Sequence, residues 1–264
     1  MGVEPATPDG WTGSQQAAPA ELDLAASTPR RPMLDSAPFT PTDGVPIRVS
    51  CVMEPLYELQ RFNLIGFRIA RRVVRVHSGE QLRHDHIANL SRADILRIDL
   101  ATIARGLDRL KAEDGARHPS VIIPVSYTSL SSQRGRDEII AALAQVRDRV
   151  DKGVICEICD IDGVPQVGLL AAVSMIRPFV LLVVGRLNTA SPTAIAALRG
   201  SGLQAIAFEC PADQPDAAVA EWAKLAIGAA RRVVRSVLIY RANSAASAAL
   251  ARQLGASHAT IQMI

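Results

Sequence analysis

Residues 180–209 read VLLVVGRLNTASPTAIAALRGSGLQAIAFE, and this stretch contains the pattern that decides the fold. Two apolar runs, Val180–Val184 and Ala205–Glu209, flank a segment with helical spacing of its apolar residues, Thr193–Leu198. Gly200 and Gly202 follow directly, where a helix is expected to stop. Continuous apolar runs separated by a helix are typical of a parallel sheet that is covered by helices on its faces.

The same alternation extends over the whole chain from Pro46 onwards. Six further apolar runs bring the number of predicted strands to eight: Arg48–Met53, Leu64–Ala70, Val121–Ser126, Gly153–Ile158, Ser236–Tyr240 and Thr260–Gln262. Helical spacing recurs in four further segments: Glu138–Val150, Val167–Met175, Ala217–Val234 and Ser244–Leu254. Eight strands in roughly 220 residues favour an α/β fold of the TIM-type (β/α)8 barrel class over an open sheet. The first two strands are too close in sequence for a helical crossover, so we expect them to be antiparallel.

The first 45 residues differ in composition from the remainder. They contain seven of the sixteen prolines and a net charge of −4, which leaves about +7 for the remaining residues. Such a segment buries too little apolar surface to offset the entropy cost of ordering it. We therefore predict a disordered Pro-rich tail over residues 1–45, dispensable for folding, and one barrel domain over residues 46–264.

Composition also excludes several classes of protein. The chain has no run of 18 apolar residues and no secretory signal, and its four cysteines are too few for a disulfide framework. We therefore expect a cytoplasmic protein that does not interact with membranes. No segment resembles a helix-turn-helix, an RNA-binding sheet or a zinc finger, so no nucleic-acid partner is expected.

Cysteine and histidine motifs do not predict a metal site. Cys156 and Cys159 match C-x-x-C, but residues three apart on a strand point to opposite faces, so the motif indicates buried strand thiols. His84 and His86 lie in a polar segment and are interpreted as part of a solvated loop.

The strand ends carry motifs that appear in a recognisable order and spacing: CVMEPL at 51–56, LIGFRIARR at 64–72, DILRID at 94–99, IIPVSYT at 122–128, ICEICD at 155–160 and LARQLGASHATIQ at 250–262. Together they resemble the EAL domain, a family of cyclic-di-GMP phosphodiesterases with a barrel fold. The resemblance extends over nearly all of residues 46–264. It implies hydrolysis of a phosphodiester by two Mg²⁺ or Mn²⁺ ions that oxygen ligands hold at the strand ends.

Compared with the family pattern, this chain has lost most of the expected ligands. The Glu of Glu-Ala-Leu falls on Arg68, a metal-binding Asn on Ser126, and the catalytic Lys on Ala207, with Glu209 in the place of the following Asp. An Asp pair falls near 184–186, and a later Glu falls on Tyr240. The positions that still match are Glu157, Asp160 as a substitute for a second Glu, Arg72 at a phosphate-facing place, and Gln262. The resemblance therefore predicts Arg72, Glu157 and Gln262 as nucleotide-binding remnants, with no catalytic residue, no metal ligand and no cofactor.

These replacements predict a function without catalysis. We expect an inactive EAL-like domain, not an enzyme, that serves as a regulatory or protein-interaction module in bacterial cyclic-di-GMP-type signalling. Two alternatives stay open: a non-catalytic receptor for cyclic-di-GMP that uses Arg72, and an active phosphodiesterase. The family pattern continues past the eighth strand with a Gly and a closing helix, whereas this sequence stops at Ile264. We therefore expect uncovered apolar surface around Ile261 and Met263 that docks a protein partner or a second copy in a homodimer.

Overall fold

The computed structural model describes residues 33–111, 119–145, 153–212 and 214–261. Within these ranges nine strands form one sheet in sequence order: β1 Met33–Asp35, β2 Ile47–Glu58, β3 Asn63–Arg75, β4 Ser120–Ser126, β5 Val154–Cys159, β6 Leu182–Leu187, β7 Ala205–Glu209, β8 Ser236–Ala242 and β9 His258–Ile261. The described helices are α1 His84–Ala88, α2 Arg92–Lys111, α3 Tyr127–Leu130, α4 Gln133–Ala144, α5 Gln166–Ile176, α6 Pro192–Ala197, α7 Asp216–Ala230 and α8 Ala245–Leu254, with a 3-10 turn at Arg177–Phe179.

Pairing between β2 and β9 closes strands β2 to β9 into an eight-stranded barrel. β2 is antiparallel to both of its barrel neighbours, and the pairings from β3 to β9 are all parallel. The predicted (β/α)8 barrel with an antiparallel first strand pair is confirmed. Because seven strands run in the same direction, their carboxyl ends meet at one mouth of the barrel.

The prediction that the tail extends to residue 45 is wrong for residues 33–45. β1 pairs antiparallel with β2, so that Leu34 lies opposite Cys51, and Phe39 forms a bridge with Ile47. The Asp94 carboxylate of α2 accepts hydrogen bonds from the backbone N–H and the hydroxyl of Thr42, at 3.0 and 2.8 Å. The composition of residues 33–45 did not predict their ordered structure, because the residues that they contact lie on β2 and α2 and not in the segment itself. Residues 1–32 lie outside the described part of the chain.

Two separate apolar layers hold the barrel together. The outer layer lies between the strands and the helices and consists mainly of Ile, Leu, Val and Ala. The inner layer fills the barrel interior and contains eight residues: Leu56, Ile122, Ile155, Val184, Ala205, Ala207, Leu238 and Tyr240. Ile261 is 7% exposed and belongs to the outer layer, so the expectation that its side chain is uncovered is wrong. Met263 and Ile264 lie outside the described residues.

None of the helices in the described ranges is long and apolar enough to cross a membrane.

Candidate functional site

A cavity of about 250 Å³ opens at the carboxyl ends of the strands. Arg68 and Arg71 of β3, Arg186 of β6, Glu209 of β7 and Arg241 of β8 all contribute to its wall. The segment between β3 and α2 closes one side through Leu82, His84 and Ile87, among others. The strand register brings these side chains together although they are distant in sequence. Arginine and acidic side chains make up six of the sixteen residues that line the cavity, and the pairing among these charges decides which ligands it can bind.

Arg68 lies at the centre of the site and is 2% exposed. Its Nη1 donates to Glu54 Oε2 at 3.1 Å. On the other side, Nε and Nη2 donate to the two carboxylate oxygens of Glu157, at 3.2 and 3.3 Å. The guanidinium also packs over the Tyr240 ring, 3.9 Å from its centroid. A planar fork of this kind matches a carboxylate geometrically and is favoured for buried ion pairs.

Two further arginines complete a closed circuit of charges. Arg241 Nε donates to Glu54 Oε1 and Arg241 Nη1 to Glu209 Oε1, both at 2.7 Å. Arg186 lies between Glu209 and Glu157, with nitrogen–oxygen separations of 3.9 and 3.6 Å. We call these six residues the ring, because each carboxylate lies between two guanidinium groups: Arg68, Glu54, Arg241, Glu209, Arg186 and Glu157. The ring has three positive and three negative charges and is neutral as a whole.

Burial and ion pairing act in opposite directions on the inner part of the ring. Burial alone raises the pKa of Glu157, but the attraction of Arg68 and Arg186 outweighs it and lowers the pKa to about 2. Burial likewise opposes the charge of Arg68, while Glu157, Tyr240 and Glu54 raise its pKa well above the usual value. Both groups are therefore ionised at neutral pH.

A second polar cluster lies beside the ring and fixes Ser126. Asp99 of α2 is fully buried and pairs with Arg71. Its Oδ2 accepts hydrogen bonds from the Ser126 backbone N–H at 3.0 Å and from the Ser129 hydroxyl at 2.6 Å. The Ser126 hydroxyl also lies 3.3 Å from Arg71 Nη2. Ser126 is thus hydrogen-bonded to the carboxylate of Asp99 and to the guanidinium group of Arg71.

Two residues in the cavity wall have a left-handed backbone conformation. Asp160, after β5, has φ 60°, and Arg241, on β8, has φ 52°. Such a conformation costs about 1–3 kcal/mol and persists only where the surroundings enforce it. Arg241 is fixed by the ring and by its backbone N–H, which donates to Thr260 Oγ1 at 2.8 Å. Asp160 Oδ1 lies 3.6 Å from His84 Nε2, on the segment that closes the cavity.

The three predicted site residues do not lie together in the structure. Glu157 lies in the ring. Arg72 is exposed on β3, does not line the cavity and forms no ion pair with the described residues, and Gln262 lies outside them. The nucleotide-binding role of all three stays a prediction. Sequence reasoning assigned no role to Glu54 or Arg241, which contact each other across 187 positions of sequence. The unusual density of Arg and Glu at strand ends was the only available signal.

The residues at this mouth do not fit a two-metal centre. Magnesium and manganese ions require several carboxylate, amide or water oxygens that are free to coordinate. Here the Glu54 and Glu157 oxygens accept hydrogen bonds from guanidinium groups. Across the described residues, no three His, Cys, Asp or Glu side chains are grouped so as to hold a metal ion.

The cysteines next to the ring are buried free thiols, as predicted from the strand pattern. Cys156 and Cys159 are both fully buried and neither forms a disulfide. Cys159 Sγ lies 3.4 Å from Glu157 Oε1, and burial raises the pKa of its thiol to about 12. A thiol in this state is protonated at neutral pH and is a poor nucleophile or metal ligand.

Comparison with known proteins gives structural similarity alone. No family model matches this chain, and no curated protein matches it significantly. Among solved structures, the PaMucR phosphodiesterase in complex with c-di-GMP is 12% identical, with a TM-score of 0.61, covering 81% of this chain and 89% of that one. The FimX EAL domain from Pseudomonas aeruginosa, bound to c-di-GMP, is 14% identical, with a TM-score of 0.61 and coverages of 81% and 88%.

A third structure, the Bacillus subtilis YkuI protein with an EAL domain, in complex with c-di-GMP and calcium, is 12% identical. Its TM-score is 0.58, and the match covers 81% of this chain but 55% of that one. At such identities the likeness concerns the backbone and not the chemistry of the site. This chain has the fold of EAL domains.

Proposed function

We propose that this chain is a non-catalytic EAL-fold domain that acts as a regulatory or protein-interaction module in cyclic-di-GMP-type signalling. The observation that carries the proposal is the ring. A guanidinium group lies between Glu54 and Glu157, where phosphodiesterases of this fold are expected to hold metal ions. Fold alone does not assign a function, so the argument depends on the state of these side chains.

The ring opposes metal binding energetically as well as sterically. A divalent ion at Glu157 would have to displace Arg68, whose side chain is 3% exposed. A guanidinium that loses its partners without reaching water carries a desolvation cost of several kcal/mol. Ala207 and Tyr240 supply neither a lysine nor a carboxylate, so further steps of the expected reaction also lack a group to perform them.

A hydrolysis assay tests the absence of activity. The full chain is incubated with cyclic-di-GMP and either Mg²⁺ or Mn²⁺, and formation of the linear dinucleotide is followed beside a no-protein blank and an active EAL phosphodiesterase. We expect no turnover above the blank, because loss of even one electrostatic group from such a site costs ~10²–10³ in rate. Arg68→Glu alone should also be inactive. Metal-dependent turnover by the unmodified chain would overturn the proposal.

A second candidate function is non-catalytic binding of cyclic-di-GMP, and Arg72 favours it. This side chain is exposed on β3, next in sequence to Arg71 of the cavity wall, and is not engaged in an ion pair with the described residues. Arginine binds phosphate bidentately without a metal. The guanidinium groups of the ring, in contrast, are all paired with carboxylates. We therefore expect any such binding to take place at the rim, to be weak and to be independent of metal.

Calorimetric titration with cyclic-di-GMP distinguishes the two candidates. It is performed with Mg²⁺ and with a chelator, at low and high salt, on the unmodified chain, Arg72→Gln and the control Arg232→Gln. A receptor that uses Arg72 should bind equally with the chelator, more weakly at high salt and hardly at all after Arg72→Gln. Absence of binding would exclude the receptor and leave the interaction module. Binding that the chelator abolishes would contradict both candidates.

A partner protein, or a second copy of this chain, belongs to the leading candidate. Light scattering at increasing concentration tests for the homodimer, and a clean monomer throughout would restrict the proposal to a different protein partner. A cytoplasmic location stays a prediction.

A further inference from the structure

The amino-terminal end of the barrel, opposite the ring, has an apolar depression of about 510 Å³. We call it the basal pocket. Its floor consists of inner-layer residues, and its wall contains aliphatic side chains that water reaches: Leu181, Leu182 and Ile65. Leu181 is 47% exposed. The proposed function uses none of these residues, so the basal pocket needs a separate explanation.

Small side chains at this level of the barrel account for the depression. Ser120, Ala205 and Ser236 line it, whereas the floor next to them consists of Leu, Ile and Val. Short side chains on one side of a barrel layer leave space that larger residues usually fill. Apolar area that remains open to water is unfavourable at roughly 25 cal/mol per Å², and such a concave surface is typical of a ligand site.

Among the residues that the structure describes, the rim of the basal pocket presents one positive charge without an ion pair. Arg235 is exposed and forms no ion pair with the residues that the structure describes. His258 also lines the rim, and its Nδ1 lies 2.8 Å from the Ser257 hydroxyl. Burial lowers the pKa of His258, so its imidazole is neutral at pH 7. Gln204 at the rim is already engaged, because its Oε1 accepts a hydrogen bond from Val183 N at 2.8 Å. Glu58, the acid near His258, does not line the pocket and accepts hydrogen bonds from the backbone of Gln60 and Arg61.

We propose that the basal pocket binds a single-chain amphiphile with an anionic head group. The alkyl chain would lie on the apolar floor between Leu181 and Leu182, and the head group would pair with Arg235. One cation beside an apolar depression of this size is complementary to that chemistry. The proposal is independent of the function proposed for the opposite end of the barrel.

Calorimetry with decanoate, below its micelle concentration, tests the site. Decyl phosphate distinguishes a carboxylate from a phosphate head group, and decyltrimethylammonium has the same chain with the opposite charge. We expect saturable one-to-one binding of at least one anion, at least tenfold tighter than the cation. Affinity should rise about fourfold per added methylene from octanoate to decanoate. No saturable binding of either anion, or equal binding of the cation, would overturn the proposal.

Two matched pairs of variants locate the binding. Leu181→Asp places a negative charge on the wall, and Leu225→Asp does the same at another exposed leucine, on α7 outside the pocket. Arg235→Gln removes the rim cation, and Arg232→Gln removes a neighbouring exposed one that does not line the pocket. Binding should weaken at least tenfold in Leu181→Asp and about fivefold in Arg235→Gln, and should persist in both controls. Because all four positions are exposed, folding should be intact, and circular dichroism verifies it. Unchanged affinity in both pocket variants would overturn the site.

Discussion

At the scale of single residues, the ring places three charged side chains where water hardly reaches them. The side chains of Arg68, Glu54 and Glu157 are at most 5% exposed, whereas Arg241 and Glu209 face the cavity at 33% and 41%. Charges that are taken out of water regain the lost hydration only through well-formed hydrogen bonds. Arg68 donates three such bonds, so the inner half of the ring depends on this one side chain.

We predict that Arg68→Met destabilises the fold by about 3–5 kcal/mol, because it leaves Glu54 and Glu157 buried without their shared partner. Urea unfolding at pH 7 measures the change. The matched control is Arg134→Met, which breaks an exposed pair with Glu138 on α4. Water and salt screen such a pair, so the control should change stability very little.

A double variant tests whether the cost comes from the unpaired acids. If it does, Arg68→Met combined with Glu157→Gln should destabilise clearly less than the sum of the two single changes. Strict additivity would show that Arg68 and Glu157 contribute independently, in contradiction to the ring.

The ring also predicts a specific dependence of stability on pH. The pKa of Glu157 is lowered from 4.5 to about 2 in the folded chain, so the folded state favours the ionised form. Its contribution is complete above about pH 4.5 and is lost as the pH falls towards 2. The free energy of unfolding is measured at several pH values for the unmodified chain and for Glu157→Gln. The difference between them should shrink by about 3 kcal/mol from pH 6 to pH 2. A difference that stays constant with pH would contradict the ionised state of Glu157.

At the scale of secondary structure elements, α8 ends at a residue that requires glycine. Gly255 has φ +98°, and an added Cβ would lie 2.5 Å from Arg231 Nη1. Gly255→Ala should therefore cost about 1–2 kcal/mol in thermal or urea unfolding. Gly228→Ala is the control, because Gly228 lies inside α7 with no left-handed φ and an added Cβ would meet no atom within 4 Å apart from the backbone of its own helix. That change should stabilise the chain by about 0.5–1 kcal/mol. Equal effects at the two positions would exclude the left-handed cap as the cause.

Elements were predictable from sequence where their signal is local. All eight barrel strands coincide with continuous apolar runs, and the glycines after α6 and α8 mark real helix ends. α7 ends at Ala230 and not at Val234, since the apolar spacing continues into the turn before β8. β1 was missed because three residues in a Pro-rich context become a strand only through pairing with β2. The ring was missed for the same reason, since Arg68 and Glu157 are 89 positions apart.

At the scale of the whole molecule, the two ends of the barrel differ in chemistry. The carboxyl end holds the neutral ring around a cavity with a largely polar wall, in which Arg186 Nε and Asp160 Oδ1 have no hydrogen-bond partner among the described residues. The amino end holds the apolar basal pocket, with Arg235 at its rim. The two ends therefore suit different ligands, a polar or charged one at the carboxyl end and an apolar one at the amino end.

The last prediction concerns how much of the chain the barrel needs. Deletion of residues 1–32 should change the melting temperature by only a few degrees, because their Pro-rich, acidic composition offers little to bury. Deletion of residues 1–44 should lower it by roughly 5 °C or more, since it also removes the β1 pairing, the Phe39–Ile47 bridge and the two hydrogen bonds from Thr42 to Asp94. Calorimetric scans of both truncated chains and the full chain measure the two effects.

Thr42→Val in the full chain is the control that removes the hydroxyl contact alone and should reproduce a small part of the second effect. Equal melting temperatures for the two truncated chains would mean that residues 33–44 do not stabilise the barrel. A large decrease in melting temperature after deletion of residues 1–32 alone would mean that these residues stabilise it.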